Sequence, residues 1–415
     1  HYIIYRLCQK SCVGRIKNMK VAFLTLSHNS NMYYSLIEMF RDNGHEVTVL
    51  TPTYEGKSYI VAKDGIRILN FKSMPMLNIG IIRKGIANLL FPYFCMKGIK
   101  QYLKNEAFDL ILMTTPPLGF YQPIKYLKRK NTRCIFYLIL RDIHPEGAKF
   151  IGLDKIKPVY AYFRKIEKNL YQLADFIGCM SPKNISFIAE KNPTINIKKL
   201  RLLPNWEEVC KYEEADINIR SKYNLDDKFI VLYGGNIGIP QNLRILLKLA
   251  ERKKPLKDVI FLIIGKGTEK VKLMKQAKKM NLNNVCFMDF IPRDDYNNLM
   301  KVCDIGFISL HPKVPIPNIP SKTLGYFQAK LPILAVTDSI TDYGKFMLDK
   351  SQSGLWSLAT DFEKLCVNFD KLYYNPILRK QMGENGYNYF LKNFTTDRAY
   401  SEIITACKEY GNNNL

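Results

Sequence analysis

Apolar positions along the chain fall into short runs separated by stretches of helical period. In the first half, residues 21–26, 47–51, 66–71, 110–114, 134–140, 176–180 and 200–203 read as strands. Several are apolar almost without interruption, the pattern of parallel strands covered on both faces. Between them, residues 31–42 and 155–173 carry apolar side chains at helical spacing, with Asn29 and Ser30 as candidate N-caps of the first and Gly44 as its stop. The second half repeats the alternation. Residues 229–233, 259–264, 285–287, 305–310 and 333–336 read as strands, and 241–252, 269–281, 294–302 and 321–329 as helices. This predicts the α/β class, with two doubly wound domains facing across a cleft and ligands at the carboxyl ends of the strands. The charged stretch after Trp206, poor in large apolar residues, marks the boundary. The division expected is an extension over 1–18, a first domain over 19–206, a linker over 207–228, a second domain over 229–395 and a terminal helix over 396–415.

Composition narrows the class. A chain of 415 residues has room for two ordinary domains, and 47% hydrophobic with 24% charged residues is a globular balance. No apolar run approaches the roughly 18–20 residues of a membrane-spanning helix. The first residues carry cations but no apolar core followed by a cleavage site, so no signal peptide is expected. The segment before Met19 reads as a non-native or dispensable extension. Ten cysteines include no CxxC pair, and Cys8 and Cys12 have the wrong spacing for a zinc knuckle; reduced, packed thiols and no metal are expected. The net charge of +25 is uneven: 32 basic and 13 acidic residues over 1–205 give +19, leaving +6 for the remainder. A basic half suits anionic lipid or a phosphorylated substrate, or is simply a lysine-rich solvated surface. With no zinc finger, helix-turn-helix or RNA-binding aromatic motif, nucleic acid is not an expected partner.

Four segments carry candidate chemistry. Val231-Leu-Tyr-Gly-Gly-Asn-Ile-Gly-Ile-Pro-Gln241 runs from an apolar strand through three glycines into a helix: either a plain tight turn or a backbone cradle for a diphosphate. Ile319-Pro-Ser-Lys-Thr-Leu324 follows a proline-rich loop. Ser321 can cap the next helix while Lys322 adds a cation, which together would neutralise a diphosphate leaving group. Leu140-Arg-Asp-Ile-His-Pro-Glu146 places ionisable residues at the end of an apolar strand. Asp142 or Glu146 could serve as general base and His144 could bridge a phosphate or sugar hydroxyl, with His28 a weaker candidate for the same cleft. Residues 79–104 interleave Ile81, Ile82, Ile86, Leu89, Leu90 and Phe94 with Arg83, Lys84, Lys97, Lys100 and Lys104. That is a helix pair packed on its own sheet, or one resting on an anionic membrane surface.

Taken in order, Met19-Lys-Val-Ala-Phe-Leu, Arg141-Asp-Ile-His-Pro-Glu, Leu203-Pro-Asn-Trp, Tyr233-Gly-Gly-Asn-Ile-Gly, Ile264-Gly-Lys-Gly, Pro320-Ser-Lys-Thr-Leu and Met382-Gly-Glu-Asn-Gly-Tyr resemble the GT-B glycosyltransferases of the large retaining family 4. Within it the chain is most similar to bacterial enzymes of capsule and O-antigen assembly, N-acetylfucosamine-type transferases among them. The resemblance implies two Rossmann-like domains, the first for the acceptor and the second for a nucleotide-diphosphate sugar, with the terminal helix crossing back to the first. It implies that Gly235, Asn236, Gly238 and Gln241 meet the donor, that Lys266 lies near the nucleotide, and that Ser321, Lys322 and Thr323 clamp the phosphates. Asp142, His144 and Glu146 would face the sugar and acceptor, with His28 and Arg141 on the acceptor side. No cofactor or metal is implied. The expected partners are a UDP-linked donor, a lipid-linked or oligosaccharide acceptor and an anionic membrane, at the inner face of the cell membrane. Two usual glutamates are replaced by Pro317 and Gly325, and Gln241 stands where a lysine is often found. A nucleotide-sugar 2-epimerase and a non-catalytic nucleotide-binding scaffold share this architecture and are the alternatives.

Overall fold

In a computed structural model, which describes residues 18–28, 31–76, 80–210 and 214–413, the chain forms two compact α/β units. One comprises the chain up to Met180, Ile185–Glu208 and Thr396–Leu415; the other comprises Ser181–Asn184 and Val209–Thr395. The expected extension, apart from Asn18, and the candidate caps Asn29 and Ser30 lie outside the described residues.

The elements up to the boundary are β1 (Lys20–Leu24), α1 (Asn31–Asp42), β2 (Glu46–Thr53), β3 (Tyr59–Lys63), β4 (Ile66–Lys72), α2 (Ile81–Tyr102), β5 (Leu110–Thr114), α3 (Tyr121–Lys128), β6 (Ile135–Ile139), α4 (Lys157–Leu173), β7 (Phe176–Cys179), α5 (Pro182–Lys191) and β8 (Leu200–Leu202). The strands form one sheet in the order β3-β4-β2-β1-β5-β6-β7-β8, parallel except for β3, which runs antiparallel to β4. The strand order reverses between β1 and β5, the switch point at which such sheets bind ligands. There Thr114 Oγ1 donates to Thr25 Oγ1 at 3.2 Å. The sheet interior is Val21, Phe23, Leu110, Leu112 and Ile139 against Leu36, Ile37 and Phe40 of α1, with buried Cys134 and Cys179 packed as small apolar residues.

Residues 81–102 form one helix with Pro92 inside it, not the expected pair. Proline removes a helical hydrogen bond, but Phe91, Cys95 and Ile99, all fully buried, hold both halves on the sheet. Phe71, Phe91 and Phe120 meet edge-on there, with centroids 5.0–6.2 Å apart.

After the boundary come α6 (Ile219–Lys222), β9 (Phe229–Gly234), α7 (Arg244–Arg252), β10 (Val259–Ile264), α8 (Lys270–Lys279), β11 (Val285–Met288), α9 (Arg293–Val302), β12 (Ile305–Ser309), α10 (Lys322–Gln328), β13 (Ile333–Thr337), β14 (Gly354–Leu358), α11 (Phe362–Tyr374), α12 (Pro376–Asn393) and α13 (Thr396–Asn413). The second sheet is wholly parallel, ordered β11-β10-β9-β12-β13-β14, with its switch point between β9 and β12. The last helix, α13, belongs to the first unit, where Ala399, Ile403, Ile404 and Cys407 join its core.

Candidate active site

The second unit's switch point is built from two glycine loops in contact. Gly234 ends β9; a Cβ there would lie 1.8 Å from the Tyr296 hydroxyl. The chain then turns through Gly235 at φ +122°, leaving Gly235 and Asn236 exposed. The loop after β10 runs alongside: Gly235 N donates to Ile264 O at 2.9 Å and Ile237 N to Lys266 O at 2.8 Å. A Cβ on Gly265 would sit 1.9 Å from Gly235 O. Only glycine permits this approach. Gln241 braces the turn, its Oε1 accepting from Gly238 N at 3.1 Å and Asn236 Nδ2 at 3.2 Å. The Tyr233 hydroxyl donates to Asn236 O at 2.6 Å. Gln241 thus holds the loop in place through its Oε1.

Lys322 enters this site from the start of α10. Its Nζ lies 3.6 Å from the Tyr233 ring centroid and 3.5 Å from where a Gly235 Cβ would be. Although the residue keeps some surface, its ammonium is enclosed, and burial lowers its pKa to about 7. Among the described residues no carboxylate pairs with it. Its neighbours differ from expectation. Ser321 is exposed at φ −62°, ψ −29°, already helical, and its side chain makes no cap bond, so the expected cap is absent. Thr323 is buried with Oγ1 2.9 Å from the Tyr343 hydroxyl. Lys266 is exposed on the neighbouring loop.

In the first unit, Arg141 and Asp142 follow β6, their backbone N–H groups donating to Thr115 Oγ1 at 2.9 and 3.3 Å. Arg141 is buried, not turned outward to an acceptor. Its guanidinium donates to Leu203 O (2.8 Å) and Pro204 O (3.2 Å) and lies 4.7 Å from the Trp206 ring centroid. Burial lowers its pKa to about 10. Asp142 retains open surface, yet the protein around it raises its pKa, opposed by Arg141. His144 packs edge-on against Phe163. Glu146 is buried, accepting from the Tyr160 hydroxyl and pairing with Lys149 at 2.7 Å. Burial alone would raise its pKa, but Lys149 and Tyr160 outweigh it and hold the carboxylate ionised. Glu146 is therefore engaged by its own turn through Lys149 and by α4 through Tyr160. His28 lines a different cavity, with Lys63 and Ile68.

Residues 216–389 match the family model of Glycosyl transferases group 1, and residues 30–206 that of Glycosyltransferase Family 4. The chain carries both glycosyltransferase domains. It is 35% identical over 206 residues to the putative colanic acid biosynthesis glycosyl transferase WcaI of Escherichia coli K12, covering 48% of this chain and 49% of that protein, about half its length. Sucrose-phosphate synthase of Thermosynechococcus elongatus is similar in fold, with TM-score 0.73 and 13% identity over 94% of this chain and 99% of that one. HepE of Anabaena, solved in complex with UDP and glucose, has TM-score 0.68 and 14% identity over 94% and 100% of the two chains. At such identities the structural likeness is one of fold, the two-domain GT-B fold.

Within the group 1 glycosyltransferase domain the structure adds residues that the motifs did not point to. Tyr326 of α10 accepts from Gly234 N and donates to Leu232 O, both at 3.2 Å, and Tyr296 of α9 closes over Gly234. Tyr233 adjoins the glycine motif and was legible by proximity. Nothing in the sequence brings Tyr296, some sixty positions later, to the same strand end.

Proposed function

We propose that the chain transfers a sugar from a nucleotide-diphosphate sugar, UDP-linked and with an N-acetylated deoxyhexose as the favoured donor, to a lipid-linked saccharide in surface polysaccharide assembly. The observation that carries this reading is Lys322, an ammonium without a carboxylate partner among the described residues, set against the exposed backbone of Gly235. As the glycosidic bond breaks, charge accumulates on the diphosphate oxygens. A positioned cation in a water-poor site then stabilises the transition state more than the bound substrate. We assign this role to Lys322, without a divalent metal. Transfer proceeds with retention: the leaving phosphate takes the acceptor proton, and Asp142 orients the acceptor. The similarity to the putative colanic acid biosynthesis glycosyl transferase WcaI and to HepE in complex with UDP and glucose supports the substrate class.

We also propose that the first unit rests on an anionic membrane through α2. Ile86, Leu89, Leu90 and Tyr93 recur at helical spacing and are 40–62% exposed, and Lys97 and Lys100 extend the same stripe. Among the described residues no helix is long and apolar enough to cross a membrane.

The test is a thermal-shift comparison of UDP, GDP, ADP and dTDP in EDTA. Ligand at 100-fold its dissociation constant stabilises a fold by about 2.7 kcal/mol. A selective UDP shift that Lys322→Ala abolishes is expected. No shift with any nucleotide would overturn the assignment. Conversion of the sugar nucleotide without acceptor would favour the epimerase.

A further inference from the structure

The parallel ladder between β9 and β12 stops short of the glycine loops. Ile305 pairs with Val231 and Gly306 with Leu232; the pairing ends there, while β9 runs on to Gly234. Tyr326 of α10, fully buried, fills the parting. Its ring lies against Gly306, where a Cβ would come within 2.6 Å of it. Its hydroxyl accepts from Gly234 N and donates to Leu232 O, the backbone groups that flank Tyr233. Buried backbone groups outside a ladder need such partners, and this one side chain supplies both.

Lys322 stands four positions before Tyr326, one turn away on the same face of α10. The contacts that fix Tyr326 on β9 therefore also fix where Lys322 reaches the strand end. There it meets Tyr233, with Nζ 3.6 Å from the ring centroid, while the Tyr233 hydroxyl donates to Asn236 O at 2.6 Å. A carboxylate in that place would hold the ammonium but cancel its charge. An aromatic face attracts a cation through its quadrupole and carries no net charge. The ammonium is thus held with its charge left for an anion. The other titratable groups of this strand end are Tyr296, Tyr326 and, on the adjoining loop, the exposed Lys266. Burial raises the hydroxyl pKa of Tyr233, Tyr296 and Tyr326 above its ordinary value, so none of them loses a proton near neutrality.

We propose that Tyr233 and Tyr326 are positioning residues for the transfer: Tyr326 registers α10 on the open end of β9, and the Tyr233 ring seats the Lys322 ammonium beside the glycine loop. The inference rests on the reading of Lys322 as the cation that meets the diphosphate, and adds what holds it there.

The experiment records the proton shifts of the full chain labelled with carbon-13 at lysine Cε, Lys322 being assigned by its absence in Lys322→Ala. Protons above a ring face are shielded, so the Lys322 Cε protons are expected upfield of those of lysines that touch no ring. Tyr233→Phe should keep that shift and Tyr233→Leu should abolish it. Tyr326→Phe leaves the ring in the gap but removes both backbone bonds; it should reduce the shift and weaken UDP binding about tenfold. In calorimetric titration Tyr233→Leu should also weaken UDP binding about tenfold. The pH of half-maximal proton uptake should fall by about one unit in that variant, because the cation loses its attraction, and stay unchanged in Tyr233→Phe. Tyrosines that merely fill the core would lower the melting temperature on substitution and move neither the Lys322 shift nor that pH. An unshifted Lys322 signal in the parent chain overturns the inference even if no variant folds, as does parent-like behaviour of Tyr233→Leu. If Lys322→Ala loses UDP binding beside such a result, this inference alone is removed. Parent-like UDP binding by Lys322→Ala removes the reading of Lys322 itself.

Discussion

Lys322 holds its ammonium 3.6 Å from the centre of the Tyr233 ring. Burial has already lowered its pKa to about 7, so near neutrality the empty site is only partly charged. A bound diphosphate favours the charged form and raises that pKa again. Nucleotide binding at pH 8 should therefore take up close to one proton, and affinity should fall by up to tenfold per pH unit above 7. Titration in buffers of different ionisation enthalpy measures the uptake. Lys322→Arg, charged throughout, should bind without the slope, and Lys322→Ala should lower turnover by about 10²-fold or more. Zero proton uptake in the wild type would separate Lys322 from the phosphates. The same shift acts on the empty protein. The unfolded chain binds more protons between pH 7 and about 10.5, so this residue favours folding increasingly as pH rises through that window.

Two glycines of the second unit should respond to alanine in opposite directions. Gly265 has φ +148° and faces Gly235 O, so Gly265→Ala forces the loops apart. Its backbone strain alone costs about 1–3 kcal/mol, and nucleotide binding should be lost with it. Gly325, in α10, faces Met300 Sδ at an ordinary 3.7 Å. Gly325→Ala should stabilise by about 0.5–1 kcal/mol through helix entropy. Chemical denaturation of the two variants checks both signs.

The strands buried on both faces were legible because an uninterrupted apolar run has little other use in a chain of this composition. β3 escaped that reading because it is exposed throughout, although Asp64-Gly65, at φ +50° and +76°, is a hairpin signal. The site was legible in its glycines and in Lys322 but not in the residues beside it. Thr323, next to Lys322, is buried with its hydroxyl on Tyr343, a partner twenty positions away that no local pattern announces. Ser321 fails as a cap because its own backbone is already helical. Glu146 faces Lys149 and Tyr160 because a 3-10 turn begins at it. Such orientations depend on where a helix begins, which sequence reading places only to within a few residues.

The terminal helix is tied to the first unit by a histidine. Met19 N donates to His45 Nδ1 at 3.2 Å, which leaves Nε2–H to donate to the Tyr400 hydroxyl at 2.9 Å. Burial lowers the pKa of His45 below 6.5. Its neutral form therefore contributes fully above pH 6.5. The contribution is lost as pH falls below that value, because the unfolded chain takes up the proton first. Tyr400→Phe should cost about 1 kcal/mol. His45→Gln should flatten the stability profile below pH 6.5, and amide exchange along α13 should quicken on acidification only in the wild type.

The exposed stripe of α2 supplies the last test. Ile86, Leu89, Leu90 and Tyr93 face solvent on a helix whose opposite side is anchored by Phe91, Cys95 and Ile99. Removing the apolar stripe should therefore leave the core intact. Leu89→Glu with Tyr93→Glu should retain the parent melting temperature but reduce sedimentation with phosphatidylserine vesicles at least tenfold. Each basic residue near such a surface is worth about 1 kcal/mol, so Lys97→Ala with Lys100→Ala should give a similar loss that high salt reproduces in the wild type. If the glutamate pair binds vesicles as the parent does, α2 is not the docking face, and its exposed side chains are left to another partner.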